Sequence, residues 1–171
     1  MIEQHVIVTT KHGRMPAFTA CPEGAGPFPP IILYMDAPGI REELRHHARR
    51  IARHGYFCIL PDMYYRLGTV HFDIPRRDDA MSAVIRASMN SLTNALVVDD
   101  TAAILGWLDG NDKVKPGALH GGALHGGADP GQAWQAERRS VVFATSGSAI
   151  RNRKPRGIIT IFPGATFVSK S

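Results

Sequence analysis

The hydrophobic pattern is most regular between Pro29 and Arg66. Ile31 to Met35 is an unbroken apolar run, which predicts a strand buried on both faces. Pro38 and Gly39 interrupt it. A helix is then expected, because Ile40, Leu44, Ala48, Ile51 and Ala52 recur on one helical face. Glu42 and Glu43 lie in its first turn, and Arg49, Arg50, Arg53 and His54 crowd its end, the order of charge that the helix dipole favours. Gly55 is the expected stop, and Tyr56 to Leu60 reads as a second buried strand. Strand, helix and strand in this order predict a right-handed βαβ unit in a parallel sheet.

Alternation of apolar and polar positions predicts two further strands, Ile2 to Thr9 and Met15 to Ala20. The Lys11-His12-Gly13 turn between them makes an antiparallel hairpin at the sheet edge. CPEGAGPFPP is a Pro/Gly loop that feeds the central strand. An irregular stretch runs from Arg66 to Arg77, and a short helix is expected over Asp78 to Met89. A longer helix runs from Ser91 to Asp109, with Val97, Thr101, Ile104 and Leu108 on one face and Gly110 beyond its end. Lys113 to Pro116 would lead into the next parallel strand.

Beyond Pro116 the periodic pattern stops. A tandem ALHGG repeat is followed by a mixed, Arg-rich stretch in which only Ser140 to Thr145 and Gly157 to Phe162 resemble short strands. The glycines from Gly117 to Gly127 offer almost no side chain to pack, so poor order is expected there. The chain is therefore read as residues 1–116, a periodic α/β segment, followed by residues 117–171, a basic Gly/Arg/Ser-rich tail.

Charge sharpens that boundary. Residues 1–116 carry equal numbers of basic and acidic side chains, so the net charge of +5 lies wholly in residues 117–171. Arg138, Arg139, Arg151, Arg153, Lys154 and Arg156 could neutralise phosphates, but few aromatics accompany them and no nucleic-acid module is recognisable. No nucleic-acid partner is expected. An abrupt switch to Arg-, Gly- and Ser-rich text is what an out-of-frame reading of a GC-rich gene produces. No apolar run approaches the roughly 18 residues of a membrane span, and MIEQHVIVTT has neither the basic start nor the apolar core of a signal peptide. Cys21 and Cys58, in or beside predicted strands and without metal-ligand spacing, are read as buried free thiols. A cytoplasmic protein with no membrane partner is expected.

The order strand, M-D-A-P-G-I-R, amphipathic helix, H-G-Y, apolar strand, P-D-M-Y-Y-R resembles the dienelactone hydrolase family of α/β-hydrolases. The N-terminal hairpin and the approach W-L-x-x-x-x-x-V-K-P-G, Trp107 to Gly117, are similar as well, so the resemblance covers roughly residues 1–119. It implies an α/β fold in part: an α/β-hydrolase with a mainly parallel sheet, an N-terminal antiparallel hairpin and helices on both faces. It also implies hydrolysis of a small-molecule ester or lactone, without a cofactor. In the family a cysteine in a G-x-C-x-G elbow attacks the carbonyl to form an acyl-enzyme, and Asp and His follow later in the chain. An acidic residue and a backbone N–H after the central strand form part of the oxyanion site. Asp36 and Ala37 match those two positions; many members have glutamate at the first, and aspartate resembles one recognisable subset.

The second half departs from this pattern. No cysteine follows Cys58 and no histidine follows His125. G-x-X-x-G occurs twice, but Leu119 and Leu124 fill the nucleophile slots. Ser140, Ser146 and Ser148 lack the elbow and have no later histidine. Neither a nucleophile nor a triad Asp or His can be assigned. The expectation is a dienelactone-hydrolase-type chain whose second half has been replaced and which is inactive. The alternatives are a non-enzymatic truncated or frameshifted fragment acting through protein association, and a basic binding module built on the tail.

Other polar residues have two readings each. Asp62, Tyr64, Tyr65 and Arg66 follow a strand's carboxyl end, where parallel sheets place their sites. Asp62 is expected to fix the loop by accepting nearby N–H groups. Tyr64, Tyr65 and Arg66 are candidates for substrate contact, with packing as the tyrosines' structural alternative. His46 and His47 lie at i+4 from Glu42 and Glu43, which favours solvated pairing over metal binding. His120 and His125 could form a metal pair, but the glycines around them provide no rigid frame. No metal site is expected.

Overall fold

The computed structural model describes residues 1–116. The tail over 117–171, including the strands expected over 140–145 and 157–162, the glycine repeat and His120 and His125, lies outside the described residues. Nine elements follow in order: β1 (Ile2–Thr10), β2 (Gly13–Cys21), β3 (Pro30–Ile32), α1 (Glu42–Arg53), β4 (Phe57–Pro61), two short 3-10 turns at Tyr65–Leu67 and Ile74–Arg76, α2 (Asp79–Asn90) and α3 (Asn94–Asp109). The sheet order is β1-β2-β4-β3.

The periodic segments form the elements expected of them. β1 and β2 pair as an antiparallel hairpin with β1 at the edge, and β3, α1 and β4 form a parallel crossover. The sheet is mixed, however, and not mainly parallel. Two of its three pairings among the described residues are antiparallel, because β2 runs opposite to β4 as well as to β1. Only one βαβ crossover falls within residues 1–116, so only one parallel pairing between named strands is possible there. A further parallel rung begins at the β3 edge. Phe28 N–H donates to Lys113 O at 2.7 Å and Lys115 N–H donates to Phe28 O at 2.8 Å, giving an isolated bridge between Phe28 and Val114.

β3 is shorter than the apolar run from Ile31 to Met35 predicts. Leu33 N–H still donates to Ile59 O at 2.8 Å, but the ladder ends there. Leu33, Tyr34 and Met35 remain buried, so the run reports burial rather than strand length.

Helices cover both faces. Cross-strand neighbours share a face, and His5, Phe18 and Leu60 are such partners. Arg49 of α1 reaches this face, with its guanidinium over the Phe18 ring and a two-point ion pair to Glu3. Phe57 points the other way by strand alternation and packs on Trp107 of α3 at 6.2 Å between centroids. Leu44, Ala48, Ile51 and Ala52 are buried under α1, and Val97, Thr101, Ile104 and Leu108 under α3. Ile104 and Leu108 are fully enclosed, each contributing about 1.5–3 kcal/mol through burial. Gly55 ends α1 with φ +92°, a conformation that costs glycine nothing, and its N–H closes the last turn on Ala52 O at 2.9 Å. Cys21 and Cys58 are buried free thiols, and burial pushes both thiols upward in pKa.

Candidate functional site

β3 and β4 run parallel, so their carboxyl ends lie together and the chain leaves both on the same side of the sheet. Asp36 to Ile40 follows β3, and Asp62 to Leu67 follows β4. The first segment turns sharply: Gly39 N–H donates to Asp36 O at 2.9 Å, with Gly39 at φ +79°. A side chain at Gly39 would strain the backbone, and its Cβ would sit 3.5 Å from the Tyr64 ring.

Two residues hold this loop. Arg41, at the N-cap of α1, grips the Asp36 carboxylate with both guanidinium nitrogens, the Nη2–Oδ2 contact being 2.8 Å. Arg41 also donates to Glu43 Oε2. The Asp36 partnership, foremost, raises the Arg41 pKa. On the other side, Tyr64 donates its phenol to the Ala37 carbonyl at 2.9 Å. Tyr64 is almost wholly buried, and that burial, with the charges of Asp36 and Asp62 adding to it, pushes its pKa up to about 12. It remains a donor throughout the physiological range. The Ala37 N–H, in contrast, has no acceptor among the described residues.

The turn after β4 is equally constrained. Asp62 Oδ1 accepts the Tyr64 N–H at 3.0 Å, the loop-fixing contact that the sequence suggested. Burial raises the Asp62 pKa, opposed by that N–H and by His71. Tyr65 and Arg66 point to α3, where Asp100 is completely buried. Arg66 forms a two-point pair with Asp100 at 2.9 and 2.7 Å, and the Tyr65 hydroxyl donates to Asp100 Oδ1 at 2.9 Å. The same hydroxyl shares a 2.7 Å hydrogen bond with Thr10 Oγ1 in β1. Of the sequence-derived candidates, then, Asp36, Ala37 and Tyr64 come together, while Tyr65 and Arg66 meet Asp100.

Asp100 and Arg41 were not singled out from the sequence. Asp100 sits at i+3 from Val97 and i−4 from Ile104, inside the apolar stripe of α3. A charge on that stripe was the available signal. Arg41 and Asp36 flank the Pro38-Gly39 turn, a spacing that permits pairing but does not specify it.

A cavity of about 180 Å³ opens beside Asp62, with Phe18 and Ile40 among its apolar walls and His5, Arg45 and His71 among its polar ones. His46 lies 3.7 Å from Glu42, and His47 is half-buried with its pKa lowered by that burial. Among the described residues no group of three or more His, Cys, Asp or Glu could hold a metal, and no helix is long and apolar enough to cross a membrane.

The loop geometry and the strand order can be set beside known proteins. The dienelactone hydrolase family matches residues 15–120, more than half of the chain. The chain belongs to the dienelactone hydrolase family. A Methylorubrum extorquens protein named "Putative carboxymethylenebutenolidase" is 29% identical over 119 residues, which are 70% of this chain and 39% of that protein. The solved structure of a Klebsiella pneumoniae "Putative Dienelactone Hydrolase" superposes with a TM-score of 0.60 at 26% identity, over 71% of this chain and 49% of that one. A dienelactone hydrolase from Anabaena variabilis shares the fold at 18% identity, with a TM-score of 0.53 over 83% of this chain and 62% of that one. The chain spans 39% of the length of the Methylorubrum relative and 49% of the Klebsiella structure.

Proposed function

We propose that residues 1–116 supply the oxyanion side of a dienelactone-hydrolase-type site for a small ester or lactone, and that the 171-residue chain lacks the nucleophile. The observation that carries this reading is the state of Ala37. Its carbonyl is held by Tyr64 while its N–H has no acceptor among the described residues, at the carboxyl end of a parallel strand. A fixed N–H of this kind can stabilise the negative charge that develops on a carbonyl oxygen under attack. Asp36, locked to Arg41, keeps the peptide that carries this N–H in one orientation. Tyr65 and both terminal nitrogens of Arg66 are engaged by Asp100 and act as framework here, and Tyr64 acts on the loop through the Ala37 carbonyl.

The attacking group is what the chain lacks. Both cysteines are buried and no histidine follows His125, so the family's Cys, Asp and His order has no counterpart in these residues. A second reading, association with a protein partner, draws on the parallel rung between Phe28 and Val114, where the sheet begins to extend beyond β3. The assay that tests the main reading is hydrolysis of a chromogenic acetate ester and of an unsaturated lactone by the purified chain. Rates equal to buffer are expected, with and without a thiol-alkylating reagent. Saturable turnover that alkylation abolishes would overturn it.

A further inference from the structure

The buried Asp100 cluster lies on α3, away from the loop after β3, yet a continuous set of contacts joins them. Asp100 takes three donors, two from Arg66 and one from Tyr65. Arg66 also stacks on Tyr65, its guanidinium carbon 4.5 Å from the ring centroid. These two residues begin the 3-10 turn that follows Tyr64. That turn is closed by Leu67 N–H donating to Tyr64 O at 2.7 Å and by Tyr65 N–H donating to Asp62 O at 3.3 Å. Tyr64 then carries the constraint to Ala37 through its phenol and to Gly39 through its ring.

A completely buried carboxylate is a poor choice for stability alone. Desolvation costs about as much as the ion pair returns, and an apolar pair of the same volume often does as well. What the charged pair adds is a single geometry: a planar guanidinium meets a carboxylate at two points, and a third donor fixes the remaining rotation. Arg66 Nε is buried without a partner among the described residues, so it is at the Asp100 carboxylate, with its three donors, that the arrangement of the joined segments is specified.

We propose that Asp100 is a positioning residue for the oxyanion loop, acting through Arg66 and Tyr65 on the turn that sets Tyr64 against Ala37. The proposal rests on the reading of Ala37 as the oxyanion donor for its functional meaning, but the coupling itself is measurable without any reaction. Asp100 touches no reacting atom. It fixes the position from which Tyr64 holds the Ala37 carbonyl.

The test is amide hydrogen exchange and the amide resonance of Ala37 in the full 171-residue protein, for the wild type, Asp100→Asn, Tyr64→Phe and the double variant. Asp100→Asn is expected to shift the Ala37 resonance and to speed exchange at Gly39, whose N–H is bonded to Asp36 O, about tenfold, while the β2 and β4 amides keep their protection. Tyr64→Phe should produce the same change at Ala37, and the double variant should add nothing further. If Asp100→Asn does not fold, Tyr65→Phe removes one donor and leaves the ion pair, and a smaller change in the same direction at Ala37 is expected. Exchange altered only in α3 and the β1–β2 hairpin, or additive effects at Ala37, would overturn the proposal. Coupling at Ala37, together with lactone turnover that Ala37→Pro leaves unchanged in a chimera completed by the second half of the Methylorubrum relative, would instead overturn the oxyanion reading and leave the coupling intact.

Discussion

Tyr64 and Ala37 are 27 residues apart, and the phenol of one donates to the carbonyl of the other at 2.9 Å. This bond joins the segment leaving β4 to the segment leaving β3, the two places where the parallel pair opens. Neither partner is held by it alone. Tyr64 is also anchored through its N–H on Asp62, and the loop of Ala37 through Asp36 on Arg41.

Tyr64→Phe removes the donor and keeps the ring that packs on Gly39. The expected cost is about 1 kcal/mol, the usual net value of one hydrogen bond plus the carbonyl left behind. Urea denaturation should show a lower midpoint with an unchanged slope. A slope that falls as well would mean that the variant alters the extent of folded structure, not one bond.

The Arg66–Asp100 pair should show the asymmetry of buried charges. Asp100→Ala leaves a mostly buried guanidinium without its partner and should cost about 3–5 kcal/mol. Replacing both, Arg66→Met with Asp100→Leu, should recover most of that loss. Stability would then be near wild type while exchange at Gly39 stays fast. Equal losses in the single and double variants would argue against a buried pair.

The native state holds the Cys58 thiol protonated, because burial raises its pKa far above the free value. The unfolded chain ionises at its ordinary value, about 8.5. Above that pH the native state binds more protons than the unfolded one, so stability falls as pH rises. Cys21 acts in the same direction, and Tyr64, pushed up to about 12, adds to the fall once the unfolded chain's tyrosines ionise near 10. Denaturation midpoints should be level from pH 7 to 8 and decline above pH 9. Cys58→Ala should flatten the first part of the decline; an unchanged slope would remove the thiol as its cause.

Much of this arrangement was legible in the sequence because it follows from local pattern. The stripe Leu44, Ala48, Ile51 and Ala52 gives α1, the stripe Val97, Thr101, Ile104 and Leu108 gives α3, and Gly55 ends α1 at a positive φ. The motif around Asp36 and Ala37 located the loop. The direction of β2 beside β4 was not legible, since alternation reports which face a residue occupies and says nothing of which neighbour a strand chooses. Asp100 was missed for a different reason. Its place on the apolar stripe of α3 signals burial, but the long-range partners Arg66 and Tyr65 that make burial of a carboxylate possible are not visible in local pattern. Arg41 likewise acquires its role from a turn that brings it back to Asp36.

The most direct measurement joins residues 1–116 to the portion of the Methylorubrum relative that follows its matched segment and assays lactone hydrolysis. A folded chimera is expected to turn over the lactone, and no turnover is expected of the 171-residue chain. Ala37→Pro, which deletes the N–H, should reduce the chimera's kcat by about 10²–10³. A folded chimera without activity, or one whose kcat is unchanged by Ala37→Pro, would contradict the assignment of the loop after β3 as the oxyanion side of the site.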